Sequence, residues 1–143
     1  MRIGIVSETF LPKWDGVANT VCRLLEYLQR RGHQALMLAP EGAPAEYAGT
    51  PIIGQAKFTC PFYKPLKVVK PRVDLGVELY DFAPDIIHMV NPALMSMVVL
   101  RRARELGVPV LMSYHTDIPG YMAKYGLGFL TEPMWSFFRW LHN

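Results

Sequence analysis

The first forty residues predict a strand, a helix and a second strand in direct succession. Arg2 to Val6 is short and apolar, which predicts a buried strand. After a loop from Ser7 to Gly16, apolar residues recur at the spacing of one helix face, at Val17, Val21, Leu24, Leu25 and Leu28. Gly32 is the expected end of this helix, and Ala35 to Ala39 predicts the second strand. A helical crossover of this length indicates that the two strands pair in parallel.

The same alternation returns later in the chain. Ile86 to Val90 and Val108 to Ser113 are short apolar runs that predict strands, and Leu94 to Leu106 between them has a helical pattern. A shorter helix is predicted over Val73 to Phe82. Strands that alternate with helices are typical of an α/β fold, and we expect a Rossmann-like, doubly wound and mainly parallel sheet.

The stretch from residue 41 to 72 interrupts this pattern. It is rich in Pro and Gly and predicts mainly loop, with one short strand at Pro51 to Ile53. Its second half carries five positive charges with no acidic residue between them, at Lys57, Lys64, Lys67, Lys70 and Arg72. Aromatic residues interleave with these charges, a combination that favours contact with an anionic membrane surface.

The composition excludes several classes of protein. With 51% hydrophobic and 19% charged residues over 143 positions, the chain fits one globular domain and not a disordered segment. A net charge of +3 is too small to indicate nucleic-acid binding. No apolar stretch reaches the roughly 18 residues that a membrane-spanning helix needs. We therefore expect a cytoplasmic protein that at most contacts the inner face of the membrane.

The two cysteines, Cys22 and Cys60, are too few for a disulfide framework. Cys22 lies beside the apolar stripe of the first helix, which predicts a buried free thiol and a reducing compartment. No spacing of His, Cys, Asp and Glu resembles a metal site, so no bound metal is expected.

A last helix is predicted near the end of the chain. Thr131 is a suitable N-cap, Pro133 suits the first turn, and Met134 to His142 is apolar with helical spacing. No Gly, Pro or polar run ends this helix before Asn143, so we expect the chain to be truncated. The aromatic residues of the helix indicate a core helix without its packing partner or, alternatively, membrane contact; they are Trp135, Phe137, Phe138 and Trp140.

Three loops follow predicted strands, and ligands of open parallel sheets bind beyond the carboxyl ends of strands. The first loop leads into a helix at Gly16, where a phosphate would be able to approach backbone N–H groups. The alternative is an ordinary loop with a glycine before a helix. The G-x-G-x-x-G spacing of a dinucleotide site and the P-loop are both absent, so a nicotinamide-binding domain is not predicted.

The second and third loops carry polar residues directly after their strands. Asn91 is the better candidate for a substrate contact in the second loop, whereas His88, inside an apolar strand, is interpreted as a hydrogen-bonded core histidine. In the third loop His115 is flanked by Thr116 and Asp117, so we expect donors and acceptors to face the crevice. The alternative is that His115 caps local backbone groups.

Around these three loops the sequence resembles the family 4 glycosyltransferases of the GT-B fold. The stretches that carry the resemblance are RIGIVSETFLPKWDGVANTV, LLEYLQRRGH, PDIIHMVNP, VPVLMSYHTDIPGYMAKYGLGF and FFRWLHN. Within the family they are most similar to bacterial lipid glycosyltransferases of the mannosyl and sulfoquinovosyl type. The resemblance implies that residues 1–143 form the N-terminal, acceptor-side half of a GT-B fold.

The resemblance also implies a reaction and roles for several residues. The expected reaction is retaining transfer of a hexose from a GDP- or UDP-linked nucleotide sugar to a lipid or glycan acceptor, without a metal or another cofactor. Gly16 would lie near the donor diphosphate, although many members have two glycines where this chain has Asp15 and Gly16. His115 would be the catalytic residue in contact with the transferred sugar. The further substrate-binding candidates are Asp15, Asn19, Asn91, Thr116 and Asp117.

In the family a second, C-terminal α/β domain holds the nucleotide, and no segment of this sequence corresponds to it. Half a cleft cannot position a donor against an acceptor. We therefore expect the chain to be inactive alone and to act with a C-terminal GT-B domain in cis or in trans. The alternative hypothesis is a non-catalytic module that binds an anionic lipid or a protein partner through the basic stretch.

Overall fold

The computed structural model describes residues 1–59, 67–69, 77–91, 94–115, 117–124, 126 and 128–142. The chain divides into two compact units, Met1–Ser113 and Tyr114–Asn143. The first unit contains the sheet, and the described part of the second is helical.

Among the described residues, the first unit is built on a six-stranded sheet with helices on both faces. The strands of the unit are β1 (Arg2–Ser7), β2 (Gln34–Pro40), β3 (Glu46–Tyr47), β4 (Thr50–Gln55), β5 (Lys57–Thr59), β6 (Lys67–Val69), β7 (Ile86–Val90) and β8 (Val110–Ser113). Its helices are α1 (Gly16–Arg30), α2 (Val77–Phe82) and α3 (Leu94–Leu106). The sheet order is β3-β4-β2-β1-β7-β8, and all neighbours are parallel except β3 and β4. The predicted doubly wound α/β fold is confirmed.

Successive side chains of each strand point to opposite faces of the sheet, and both faces are covered. The face under α1 has a buried cluster that includes Ile5, Val21, Leu25, Met37, Ile52 and Val90. The face under α2 and α3 has a second cluster that includes Val6, Leu38, Leu79, Ile87, Met95 and Val99. Gly4 lies where α2 approaches β1, and a Cβ at this position would stand 2.9 Å from Leu79 Cδ2. A larger residue would therefore force the buried Leu79 side chain to shift.

Helix α1 ends where the sequence predicts. Gly32 has a φ of 71°, and the N–H of His33 donates to the Leu28 carbonyl oxygen at 3.0 Å, as in a Schellman motif. The buried face of the helix includes Cys22, which is a free thiol and 2% exposed, so the predicted buried free thiol is confirmed. Burial raises the pKa of the Cys22 thiol because it disfavours the charged thiolate.

The prediction that residues 41 to 72 are mainly loop is wrong for the described part. β3 and β4 form an antiparallel hairpin whose turn residues, Ala48 and Gly49, have φ angles of 48° and 71°. β4 extends beyond the predicted Pro51 to Ile53 at both ends, and β5 pairs with β6 in a separate antiparallel ribbon. Strands of two and three residues are too short to show an alternating pattern, and Ala-Gly is a weaker hairpin signal than Asn-Gly.

The other predicted elements of this unit agree with the structure to within two residues. β7 and α3 coincide with their predictions, and β8 begins at Val110 instead of Val108. Of the helix predicted over Val73 to Phe82, the second part is α2, and residues 73–76 lie outside the described residues. In the basic stretch, Lys57 and Lys67 begin β5 and β6, whereas three further basic residues lie outside the described residues: Lys64, Lys70 and Arg72.

The second unit contains α4 (Ile118–Lys124), a 3-10 turn (Gly128–Leu130) and α5 (Thr131–His142). Helix α5 confirms the predicted last helix, and Thr131, predicted as its N-cap, is its first residue. Phe138 is buried and lies edge-on to Tyr114, with ring centroids 5.3 Å apart. Trp135 and Trp140 are 37% and 59% exposed. Across the described ranges of both units, none of the helices combines the length and the apolar character that crossing a bilayer requires.

Candidate functional site

The carboxyl ends of three strands form a row at one edge of the sheet. Ser7, the last residue of β1, pairs with Val90 of β7, and Val90 pairs with Ser113, the last residue of β8. The three loops identified from the sequence therefore begin at neighbouring points. The strand order reverses at β1, which is the position where open α/β sheets bind their ligands.

Polar side chains and one aromatic ring hold the β1–α1 loop. The hydroxyl of the buried Ser7 donates to the Thr9 carbonyl oxygen at 2.6 Å. The Thr9 hydroxyl donates in turn to Asp15 Oδ2 at 3.3 Å. Phe10, in the middle of the loop, is 3% exposed and lies edge-on to Tyr47 with ring centroids 6.1 Å apart. The loop is thus fixed at its start, its middle and its end.

Asp15 places a carboxylate at the N-terminus of α1. Its Oδ1 accepts a hydrogen bond from the Ala18 N–H at 2.9 Å, and its Oδ2 is 2.9 Å from Lys13 Nζ. Burial acts to raise the pKa of Asp15, but the hydrogen bonds from Ala18, Lys13 and Thr9 outweigh it, so the pKa is lowered. The carboxylate is therefore ionised at neutral pH, in the place that the helix dipole favours for an anion.

Gly16 is the first residue of α1 and is exposed. No atom outside its own stretch of helix lies within 4 Å of the point where a Cβ would stand, so packing does not require glycine here. A ligand that approaches the backbone would require it, as the predicted diphosphate contact does. Asn19, another predicted substrate contact, is half-buried on the next turn, and its N–H donates to the Asp15 carbonyl oxygen at 2.9 Å.

Glu8, which sequence reasoning misses, links the β1–α1 loop to α3. Its Oε1 accepts a hydrogen bond of 2.6 Å from the N–H of Met95, in the first turn of α3. The helix dipole favours a carboxylate at this position. The contact joins residues 87 positions apart, so no local pattern in the sequence indicates it.

His88 and Asn91 both contact the end of β8. His88 Nε2 is 2.8 Å from Ser113 Oγ, in agreement with the interpretation of His88 as a hydrogen-bonded histidine. Asn91 has a φ of 53°, and its N–H donates to the Ser113 carbonyl oxygen at 2.9 Å. The structure thus places Asn91 directly after the residue that pairs with Ser7, beside the start of the β1–α1 loop.

The second unit carries His115 and Asp117. His115 is exposed, and the Asp117 carboxylate accepts a hydrogen bond of 3.0 Å from the Gly120 N–H and so caps α4. Thr116 lies outside the described residues. The roles of all three predicted site residues toward a substrate stay predictions.

No cluster of three or more His, Cys, Asp or Glu side chains that would be able to hold a metal ion occurs in the part of the chain that the structure describes. Metal independence of the reaction is implied by the resemblance alone and stays a prediction.

Comparison with known proteins yields matches along nearly the whole chain. The model of Glycosyltransferase Family 4 matches residues 14–143. A GDP-mannose-dependent alpha-mannosyltransferase of Mycobacterium tuberculosis is 36% identical over 149 residues, which cover 100% of this chain and 39% of that protein. Sulfoquinovosyl transferase SQD2 of Arabidopsis thaliana is 38% identical over 133 residues, which cover 90% of this chain and 26% of that protein. An alpha-monoglucosyldiacylglycerol synthase of Streptococcus pneumoniae is 26% identical over 93% of this chain and 31% of its own length.

One solved structure supports the fold. MurG of Acinetobacter baumannii matches 78% of this chain and 34% of its own chain with a TM-score of 0.54. At 16% identity the likeness concerns the fold alone. The chain spans 26% to 39% of the length of the three relatives described above.

Proposed function

This chain belongs to glycosyltransferase family 4, and we propose that it is the acceptor-side domain of an enzyme that transfers a hexose from a nucleotide sugar to a lipid or glycan acceptor. The observation that supports this most is the row of Ser7, Val90 and Ser113, where the loops that carry the family resemblance begin at one edge of the sheet. The names of the relatives mention GDP-mannose, sulfoquinovose and a monoglucosyldiacylglycerol, which supports a nucleotide-sugar donor and a lipid acceptor.

On the donor side, we assign the diphosphate to the N-terminus of α1, beside Gly16. The Asp15 carboxylate already lies there, and its negative charge repels a phosphate. Lys13, 2.9 Å from Asp15 Oδ2, offsets part of this charge. Cationic side chains of a C-terminal domain would offset the remaining negative charge. Their attraction for the leaving diphosphate would also lower the barrier to transfer. The proposed reaction is retaining and needs no metal.

On the sugar and acceptor side, His115 is the proposed catalytic residue in contact with the transferred sugar. Asn19, Asn91, Thr116 and Asp117 are proposed to hydrogen-bond to substrate hydroxyls. Asn91 has support from its place at the carboxyl edge. Asp117 also caps α4, so its replacement would change both structure and binding.

The proposed enzyme requires a C-terminal GT-B domain, in cis or in trans, to hold the nucleotide. A lipid acceptor would place the complex at the cytoplasmic face of a membrane. Without the second domain, the binding energy of the nucleotide cannot be used to position the donor, and we expect no turnover from the 143-residue chain alone.

A chimera tests this proposal. In the mycobacterial mannosyltransferase, the matching 39% of the sequence is replaced by this chain, and transfer from radiolabelled GDP-mannose and UDP-hexoses to lipid acceptors is measured. We expect transfer by the chimera and none by the chain alone or by the remaining mycobacterial segment alone. Turnover by the chain alone would contradict the need for a second domain. A folded chimera that binds the nucleotide but transfers no sugar would contradict the proposed function and favour the non-catalytic module.

A further inference from the structure

Ser113, the last residue of β8, is held by two residues of the neighbouring strand region. Its Oγ is 2.8 Å from His88 Nε2, and its carbonyl oxygen accepts a 2.9 Å hydrogen bond from the Asn91 N–H. Both the side chain and the last carbonyl of β8 are therefore fixed. The chain leaves the sheet edge directly after this residue.

The side-chain hydrogen bond follows from the register of the two strands. His88 pairs with Leu111 and Val90 pairs with Ser113, so His88 and Ser113 are diagonal neighbours on the same face of the sheet. This face is the one that α1 covers, because Val90 belongs to the buried cluster under α1. His88 and Ser113 are both half-buried, which shields their hydrogen bond partly from water.

The sheet itself does not require this pair to be polar. Replacing both partners of a half-buried hydrogen bond by apolar groups of similar shape costs a fold little. The rest of β7 is apolar, with Ile86, Ile87, Met89 and Val90 around His88. What the polar pair adds is direction, since the hydrogen bond selects the rotamer of Ser113 that points its Oγ at His88 Nε2.

We propose that His88 is a positioning residue that acts through Ser113 on His115. His115 follows Ser113 by two residues, so a change in the last peptide of β8 reaches His115 through one intervening residue of the chain. Because this inference rests on the proposed catalytic role of His115, it concerns the rate of the chemical step and not the affinity for the donor. A displacement of about 1 Å at a reacting centre lowers a rate by roughly 100-fold.

Four substitutions separate positioning from packing. In His88→Gln the amide reaches the place of Nε2, whereas in His88→Asn it reaches only that of Nδ1. Ser113→Thr keeps the hydroxyl, and Ser113→Val has the same shape as Ser113→Thr but lacks the hydroxyl. The matched control is His33→Gln, because His33 is also half-buried and lies at the opposite end of the sheet.

The first measurement uses the chain itself and needs no activity. Ring and backbone NMR signals of His115 are compared in the wild type and the variants. We expect His88→Asn and Ser113→Val to shift these signals alike, and His88→Gln, Ser113→Thr and His33→Gln to leave them close to wild type. Unmoved His115 signals in both His88→Asn and Ser113→Val would overturn the inference. If His88→Asn unfolds the chain, the His115 signals of Ser113→Thr and Ser113→Val are compared instead, and equal signals in these two variants would overturn the inference.

The second measurement uses the chimera. His88→Asn and Ser113→Val should each lower kcat roughly 10- to 100-fold with little change in KM for the donor, and the double variant should lose no more than either alone. If the kcat losses of the two single variants multiply in the double variant, or if His88→Asn has a wild-type kcat, the inference is overturned while the proposed function stays intact. A folded wild-type chimera that binds the nucleotide but transfers no sugar, together with the expected NMR shifts in the chain, would instead contradict the proposed function and leave the link from His88 to His115 standing.

Discussion

Asp15 is the residue at which this chain departs from the two-glycine pattern of many family members. Its carboxylate accepts from the Ala18 N–H and pairs with Lys13, so it caps α1 and adds a negative charge to the helix N-terminus. In the free chain this arrangement stabilises the helix. Toward the diphosphate proposed to bind beside Gly16, the same charge would be repulsive. Asp15 would then stabilise the chain at some cost in donor binding.

Replacement of Asp15 should separate the contribution of its cap from the contribution of its charge to the stability of α1. Asp15→Ala removes the cap and should lower the free energy of unfolding by about 1 kcal/mol, whereas Asp15→Asn keeps the cap and should cost less. Because the pKa of Asp15 is lowered in the folded chain, its contribution to stability is complete above the ordinary value of 3.8 and is lost as pH falls through the folded value.

Urea unfolding of wild type and Asp15→Asn, from neutral pH down to about pH 3, measures this dependence. The stability difference between the two proteins should shrink as the carboxylate takes up a proton. A difference that stays constant over this range would show that the charge of Asp15 does not stabilise α1.

His115 is the side chain on which the proposed chemistry depends. In the chimera, His115→Ala should lower kcat by about 100-fold or more, since a group that acts at the reacting centre typically contributes at least that factor. The circular dichroism spectrum should not change, because His115 is exposed. His33→Ala is the matched control and should leave kcat unchanged. An unaltered kcat in a folded His115→Ala protein would make His115 a residue that only caps local backbone groups.

At the level of elements, the sequence predicts the long and apolar pieces of the fold and misses the short ones. β1, β2, β7, α1 and α3 are visible because an apolar run or a helical stripe is a local property. β3 is two residues long, and its turn is Ala48-Gly49, so neither strand nor turn has a recognisable pattern. β3 owes its existence to pairing with β4, which only the folded chain provides.

The candidate site was predictable to the same extent. Gly16 and Asn91 lie at strand ends or helix starts, and the sequence already shows these positions. Glu8 to Met95 and His88 to Ser113 are contacts over 87 and 25 positions, and they depend on the strand order of the sheet. The sequence therefore predicts which loops carry the candidate residues, while the structure shows how the β1–α1 loop and the end of β8 are held.

The end of α2 offers a test of backbone strain. Ala83 has a φ of 46°, a left-handed conformation that costs a residue with a Cβ roughly 1 kcal/mol or more, and its side chain is exposed. Ala83→Gly should therefore raise the free energy of unfolding by about 0.5 to 1 kcal/mol, after the greater flexibility of glycine in the unfolded chain is allowed for.

Ala45→Gly is the control for this prediction, because Ala45 is also exposed and has no positive φ. It should lower the midpoint of urea unfolding or leave it unchanged. A fall in the midpoint for Ala83→Gly as large as that for Ala45→Gly would mean that the left-handed conformation carries no strain.

At the scale of the whole molecule, charge is distributed unevenly. The net charge is only +3, yet residues 57 to 72 contain five basic residues and no acidic one. A uniform surface of this net charge would attract an anionic membrane weakly. A local cluster attracts it more strongly, because each Lys or Arg near an anionic surface adds about 1 kcal/mol. The relative named as an alpha-monoglucosyldiacylglycerol synthase makes such a surface relevant to the proposed lipid acceptor.

The chain should therefore bind vesicles that contain phosphatidylglycerol more strongly than vesicles of phosphatidylcholine, and added salt should weaken the binding, since charges are screened beyond about 8 Å at physiological ionic strength. Co-sedimentation at low and high salt measures both effects. Reversal of Lys64, Lys67 and Lys70 to Glu should abolish the difference. Reversal of Arg23, Arg30 and Arg104, which are exposed on α1 and α3, changes the net charge equally and should preserve it. Equal binding to both vesicles, or salt-independent binding through exposed aromatic side chains, would contradict the electrostatic attraction.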